Sequence, residues 1–162
     1  MRQEELLEIA LEQERTLYRI ARTLLRSDAD CADAVQDTLL KAAAHAHRLR
    51  EAASARAWLT RILVNTCKDM LRREKAHPLI STDAHPGILG ALPAPEEGRL
   101  NEVMGMLDEM DETLRVPMVL FYVEGFTVRE IARTLRIPEG TVKSRLWNGR
   151  KTLREMMLEE AL

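Results

Sequence analysis

The stretch from Thr127 to Arg154, TVREIARTLRIPEGTVKSRLWNGRKTLR, constrains the fold more than any other part of this 162-residue chain. Thr127 and Glu130 stand at capping-box spacing, where each side chain satisfies an orphan backbone N–H of the other. Ile131, Ala132 and Leu135 follow at helical spacing. The run Arg136-Ile137-Pro138-Glu139-Gly140 then breaks the period, and Pro138 suits the start of a new helix because no N–H is needed there. A helix, a tight turn and a second helix with a basic outer face describe a helix-turn-helix, whose second helix is shaped for the major groove of DNA.

Spacing along that second helix separates two faces. Val142, Leu146, Gly149 and Leu153 fall on one stripe, and Lys143, Ser144, Trp147, Lys151 and Arg154 fall opposite. An indole among cations on the outer side of a helix calls for a partner surface. DNA offers phosphates to the cations and base edges and methyl groups to a flat apolar side chain. The alternative is a solvated charged helix with Trp147 packed on a neighbour.

Ahead of this module the periodicity predicts four or five further helices and no strand. The first spans about Glu4 to Leu25, with Leu17, Ile20, Ala21 and Leu24 on its core stripe. The second follows the start signal Ser27-Asp28-Ala29-Asp30 and runs to about Arg48, and the third runs from Ala55 to Glu74. Residues 77–98 hold four prolines and three glycines, which reads as a linker. Helical pattern resumes at Arg99, first Leu100 to Met110 and then Glu112 to Glu124, with Pro117 expected as a kink or an early turn and Gly125 as the stop. The expected fold is therefore all-α: two small helical domains, 1–76 and 99–162, joined by the Pro-rich linker 77–98, the second containing the helix-turn-helix. Each half is near the lower size limit for independent stability, so a partner would steady it.

Composition excludes several classes. Hydrophobic residues make up 46% of the chain but aromatics only 4%, as in bundles cored by Leu, Ile, Val, Ala and Met. No apolar run approaches the roughly 20 residues needed to span a bilayer, and the acidic start is unlike a signal peptide. Cys31 and Cys67 lack CxxC spacing and are expected as reduced core thiols in a cytoplasmic protein. His45 and His47 diverge on their helix, so no metal or other cofactor is expected. No set of His, Cys or carboxylates has catalytic spacing, so no enzyme is expected either. The net charge of −2 hides a strong asymmetry. Between Ser54 and Lys75 six basic residues face two acids, while between Glu96 and Glu112 seven acids surround Arg99 alone. Local DNA contacts with weak non-specific affinity fit that distribution.

The first half carries two faces of its own. On the third helix Leu59, Ile62, Leu63, Thr66, Cys67 and Met70 cluster as core, while Arg61, Asn65, Lys68 and Arg72 form a polar stripe with Trp58 at its edge. Three cations, an amide that can bond base edges and an indole suit contact with single-stranded or duplex DNA. A solvated basic face is the competing account. On the second helix Val35, Leu39, Ala42 and Ala46 point inward, and Asp33, Gln36, Asp37 and Leu40 outward. An exposed Leu ringed by carboxylates and an amide suits protein contact as well as it suits an ordinary acidic surface.

Taken together, LYRIARTLL (17–25), DAVQDTLLKA (33–42), RAWLTRILVNTCKDMLRR (56–73), GFTVREIARTLRIPEGTVKSRL (125–146) and GRKTLR (149–154) resemble the extracytoplasmic-function (ECF) sigma factors of bacterial RNA polymerase. These are the minimal members of the sigma-70 family, with regions 2 and 4 only. Each motif is moderately specific, and the ordered set is highly so. The resemblance implies a transcription initiation factor. It implies that Asp33, Gln36, Asp37 and Leu40 dock on the polymerase β′ clamp. It further implies that Trp58, Arg61, Asn65, Lys68 and Arg72, with the loop 49–54, hold the −10 element and capture a flipped base, and that the second domain grips the β flap. The −35 element would be read by Lys143, Ser144 and Trp147 with their neighbours Thr141, Arg145, Asn148, Arg150 and Lys151. Promoter DNA, core RNA polymerase and an anti-sigma factor are the implied partners. The chain departs from the family pattern at Leu39, commonly Phe; at Ala55, commonly aromatic; at Arg136, often Gly; and at Asn148-Gly149, usually a basic-small pair.

Two rivals would read the motifs otherwise. A sigma-mimicking adaptor that occupies an anti-sigma factor has no use for basic helix faces, yet both are present. A self-sufficient helix-turn-helix regulator usually dimerises on paired half-sites, and has no use for the two distinct faces of the first half.

Overall fold

The computed structural model describes the backbone of residues 1–76 and 95–160 and the side chains of residues 1–75 and 102–160. The chain divides into two compact units, Met1–Gly87 and Ile88–Leu162. Every regular element among the described residues is helical. Most of the expected linker, residues 77–94, lies outside the described residues.

The first unit holds α1 (Gln3–Glu12), α2 (Glu14–Leu24), α3 (Asp28–Ala44) and α4 (Ala55–Ala76). The single helix expected over Glu4 to Leu25 is thus two. At the joint the Gln13 N–H is shared between the carbonyls of Ile9 (3.1 Å) and Ala10 (3.2 Å). The apolar stripe stays in register across it, with Leu6 and Ala10 buried before the joint and Leu17, Ile20, Ala21 and Leu24 after. A bend that keeps the stripe in phase lets one long amphipathic segment curve around the core.

Ser27 caps α3 by accepting the Asp30 N–H at 3.2 Å. Asp28, in the first turn, is buried and takes the Tyr18 hydroxyl at 2.7 Å on the oxygen that also pairs with Arg22. That cluster ties α2 to the start of α3, where a carboxylate also complements the helix dipole. Burial, followed by the bond to Asp28, pushes the Tyr18 hydroxyl well above its ordinary range. α3 ends at Ala44, a turn earlier than the spacing predicts, and a 3-10 turn over Ala46–Arg48 completes the expected span.

The buried face of α4 is rotated from the expected one toward Thr60 and Val64, which are fully buried, while Ile62 and Met70 are only half-buried. A residue scale counts threonine as polar, but here each buried hydroxyl returns its proton to its own helix. Thr60 donates to the Arg56 carbonyl and Thr66 to that of Ile62, both at 2.8 Å. Thr38 bonds Ala34 at 2.7 Å on α3, and Thr23 bonds Ile20 at 2.6 Å on α2. Satisfied in this way, a threonine packs much like a valine.

The second unit holds α5 (Pro95–Asp108), α6 (Glu112–Met118), α7 (Val128–Leu135) and α8 (Glu139–Glu160). α5 starts at Pro95 rather than Arg99, since proline fits a first helical turn. Pro117 lies inside α6 and removes one i→i−4 bond. Directly after α6 the chain widens into a π turn over Val119–Val123, closed by Glu124 N–H to Val119 O at 3.0 Å. Gly125, at φ 70°, ends it and lets Phe126 turn back into the core.

The capping box is formed, with both Thr127–Glu130 bonds at 3.1 Å. Arg136 ends α7 in the left-handed region (φ 57°, ψ 48°), and the Ile137 N–H reaches back to the Ala132 carbonyl at 3.1 Å. In α8, Val142, Leu146 and Gly149 are buried and Leu153 is half-buried, as spacing predicts. A Cβ on Gly149 would lie 2.6 Å from Met118 Cγ, so glycine is what permits this approach of α8 to α6.

Two predictions follow from this packing. Arg136→Gly relieves about 1 kcal/mol or more of left-handed strain, partly offset by the entropy of glycine. The expected result is a rise of about 3–5 °C in the melting transition of the second unit, with no rise for Arg136→Ala. Cys31 and Cys67 are fully buried, and burial pushes both thiols up to about 12. Thiol labelling of the native chain at pH 8 should therefore be about a hundredfold or more slower than in denaturant.

Candidate nucleic-acid interface and partner faces

The outer face of α8 presents Lys143, Ser144, Trp147, Asn148 and Lys151 to solvent, with Thr141 and Arg145 half-buried at its margins. Trp147 is 59% exposed although so large an aromatic ring is costly to leave in water. The Lys151 ammonium lies 5.7 Å from the centre of its ring, within cation–π range. The buried stripe of Val142, Leu146 and Gly149 holds this face outward, so its direction follows from packing on the opposite side.

Arg150 stands apart from that group. Its Nη1 donates to the Tyr122 hydroxyl at 3.1 Å, which draws the guanidinium toward the π turn. Arg150, Arg154 and Tyr122 border an apolar pocket of about 330 Å³ whose lining includes Leu107, Met118 and Leu153. The spacing of the sequence does not reveal this pocket, because its walls come from α5, the α6–π segment and α8 together. Exposed Val103, Tyr122 and Met157 contribute to it, and such exposure is readable only from the fold.

In the first unit, α4 carries the polar stripe expected of it. Asn65 and Arg72 are exposed, and Arg61, Lys68 and Trp58 are half-buried. Arg72 meets Asp69 at 3.5 Å, an exposed contact of small energetic weight.

On α3 Asp33, Gln36 and Asp37 are exposed, and Leu40 is 71% exposed. Asp37 is paired with Lys41 at 3.1 Å, and the same ammonium donates to Thr66 Oγ1 on α4 at 3.1 Å. Sequence reasoning passed over Lys41. The i,i+4 spacing of an acid before a base signals the first contact, whereas nothing in the sequence places Thr66 beside it. Among the described residues no group of three or more His, Cys, Asp or Glu side chains gathers to hold a metal ion, and no helix is long and apolar enough to cross a membrane.

Residues 11–77 match the family model described as Sigma-70 region 2, and residues 100–153 match Sigma-70, region 4. The chain is 36% identical over 144 residues to the ECF RNA polymerase sigma factor SigM of Mycobacterium tuberculosis, covering 88% of this chain and 72% of that protein. It is 27% identical over 146 residues to the RNA polymerase sigma factor SigV of Bacillus subtilis, covering 90% and 86%. Among solved structures it resembles the sigma factor RpoE of Bartonella quintana, crystallised with the anti-sigma factor NepR, at a TM-score of 0.71 and 27% identity, covering 95% of this chain and 94% of that one. The fold also matches that of CnrH in complex with the cytosolic domain of CnrY, at a TM-score of 0.68 and 23% identity. With both sigma regions matched in order and this identity sustained along most of a known member, the chain belongs to the ECF sigma factors, which direct RNA polymerase to promoters.

Proposed function

We propose that three helix faces divide the work of this initiation factor, which acts without catalysing a reaction of its own. α8 reads the −35 element, α4 engages the −10 element, and the outer face of α3 docks on the β′ clamp of the polymerase. The observation that carries this reading is Trp147, more than half exposed and flanked by cations on the helix that follows the turn. A solvated indole lowers stability unless a partner covers it, and a groove lined by phosphates and thymine methyls covers both its ring and the adjacent charges. Lys143, Lys151 and Arg145 then serve phosphates, Ser144, Asn148 and Thr141 base edges or backbone, and Arg150 the rim nearest Tyr122.

On α4, Arg61, Lys68 and Arg72 guide the backbone of the separated strand. Asn65 and Trp58, with residues 49–54, receive a base drawn from the stack. Base extrusion costs a few kcal/mol, which these contacts must offset. Leu40 supplies the apolar centre of the α3 face, with Asp33, Gln36 and Asp37 as its polar surround. The apolar pocket of the second unit suits a hydrophobic anchor from the β flap. An anti-sigma factor is a further partner in this reading, supported by the complex in which the similar RpoE was solved. The cytoplasm, where polymerase and promoters meet, is the corresponding compartment.

Run-off transcription with bacterial core polymerase on DNA of the source genome tests the assignment. Discrete transcripts are expected only when the chain is present, and their absence despite core binding would remove the DNA roles of α4 and α8. Asp37→Arg is expected to weaken core binding by about tenfold or more with helicity unchanged. An unaltered affinity would remove α3 from the docking surface. Lys143→Ala with Trp147→Ala should lower promoter occupancy by about 10- to 100-fold while sparing core binding, measured by footprinting of the holoenzyme.

A further inference from the structure

Lys41 reaches two helices at once. Its Nζ lies 3.1 Å from Asp37 Oδ2, one turn earlier on α3, and 3.1 Å from Thr66 Oγ1 on α4. Thr66 is buried and gives its own proton to the Ile62 carbonyl, which leaves its oxygen facing the ammonium as an acceptor. An ordinary exposed i,i+4 pair is weak because both side chains sample many rotamers. Here a core hydroxyl anchors one of the two, so the pair forms with less entropy left to lose. The Asp37 side chain is still 51% exposed, so a partner can reach the carboxylate from solvent.

We propose that Lys41 is a built-in competitor for Asp37: it occupies the carboxylate in the free chain and yields it to a cationic group of the polymerase on docking. The proposal rests on the reading of the α3 outer face as the polymerase-docking surface. No bond is made or broken; one counter-ion replaces another, and Lys41 keeps Thr66 throughout. The exchange filters partners. A lone lysine from another surface replaces like with like and gains little. A guanidinium gains more, because it can bond both carboxylate oxygens in a planar fork. Lys41 thereby lowers affinity for every basic surface and favours the one that presents an arginine correctly, which is specificity obtained by setting a threshold.

The test is a double-mutant cycle on the full chain, reading the dissociation constant for core polymerase at low and high salt. Lys41→Met keeps the apolar stem against α4 and removes the charge; it is expected to tighten binding about two- to fivefold at low salt, and less at high salt. Lys41→Arg, which restores a competing cation, should return affinity toward the native value. In the Asp37→Asn background Lys41→Met should have little effect. Far-UV circular dichroism checks that each variant is folded, and Lys41→Gln repeats the measurement with a different neutral side chain. The proposal is overturned if Asp37→Asn weakens binding but Lys41→Met leaves affinity unchanged or lower, or tightens it equally in both backgrounds. If Asp37→Asn alone leaves affinity unchanged, the docking role of α3 fails instead, a result distinguishable from the other two.

Discussion

In α4 the hydroxyls of Thr60 and Thr66 turn back onto the carbonyls of Arg56 and Ile62, and much of the first unit depends on that arrangement. It widens the buried arc of the helix from a narrow apolar stripe to a face that can pack against both α2 and α3. Thr38 on α3 and Thr23 on α2 do the same from their side. Once the inner face of α4 is occupied in this way, the outer direction of Arg61, Asn65, Lys68 and Arg72 is fixed, because a helix has only one opposite side. The outward polar face of α4 is the remainder left by packing.

The second unit reaches the same end with different means. Pro117 and the π turn shift the chain where Tyr122 must meet Arg150, and Gly125 returns it toward Phe126. Gly149 removes the one side-chain carbon that would hold α8 away from Met118. These local departures from regular helix run from the interior of α6 to the buried side of α8. Arg136 retains left-handed strain at the turn between the two helices of the motif, where glycine would be relaxed. Nothing in the structure explains the choice of arginine there.

Electrostatics decide when these faces are used. The chain as a whole is slightly acidic, and α4 and α8 each carry a stripe of positive charge. Phosphate contacts from so few cations give weak binding, because each neutralised phosphate adds only its own share of counter-ion release. DNA recognition by such a chain gains from delivery on the polymerase. In the proposed reading the α3 face follows the opposite rule: its carboxylates attract a basic partner, and Lys41 sets how strong that attraction must be.

Much of this was legible in the residues. The capping box at Thr127, the stripe of Val142, Leu146 and Gly149, the outward turn of Trp147 and the exposure of Leu40 all follow from spacing, because a helix converts sequence interval directly into direction. Family motifs likewise fixed the order of the two sigma regions. What spacing could not supply was any quantity that depends on two elements meeting. The burial of Thr60 on α4 required knowing that its hydroxyl is satisfied within the helix. The joint at Gln13 required a core to curve around, and the pocket beside Tyr122 required three segments at once. The contact from Lys41 to Thr66 spans 25 positions in the chain. Periodicity specifies which side of a helix faces in; only tertiary packing decides what stands across from it, since that depends on distances between segments that no local pattern encodes.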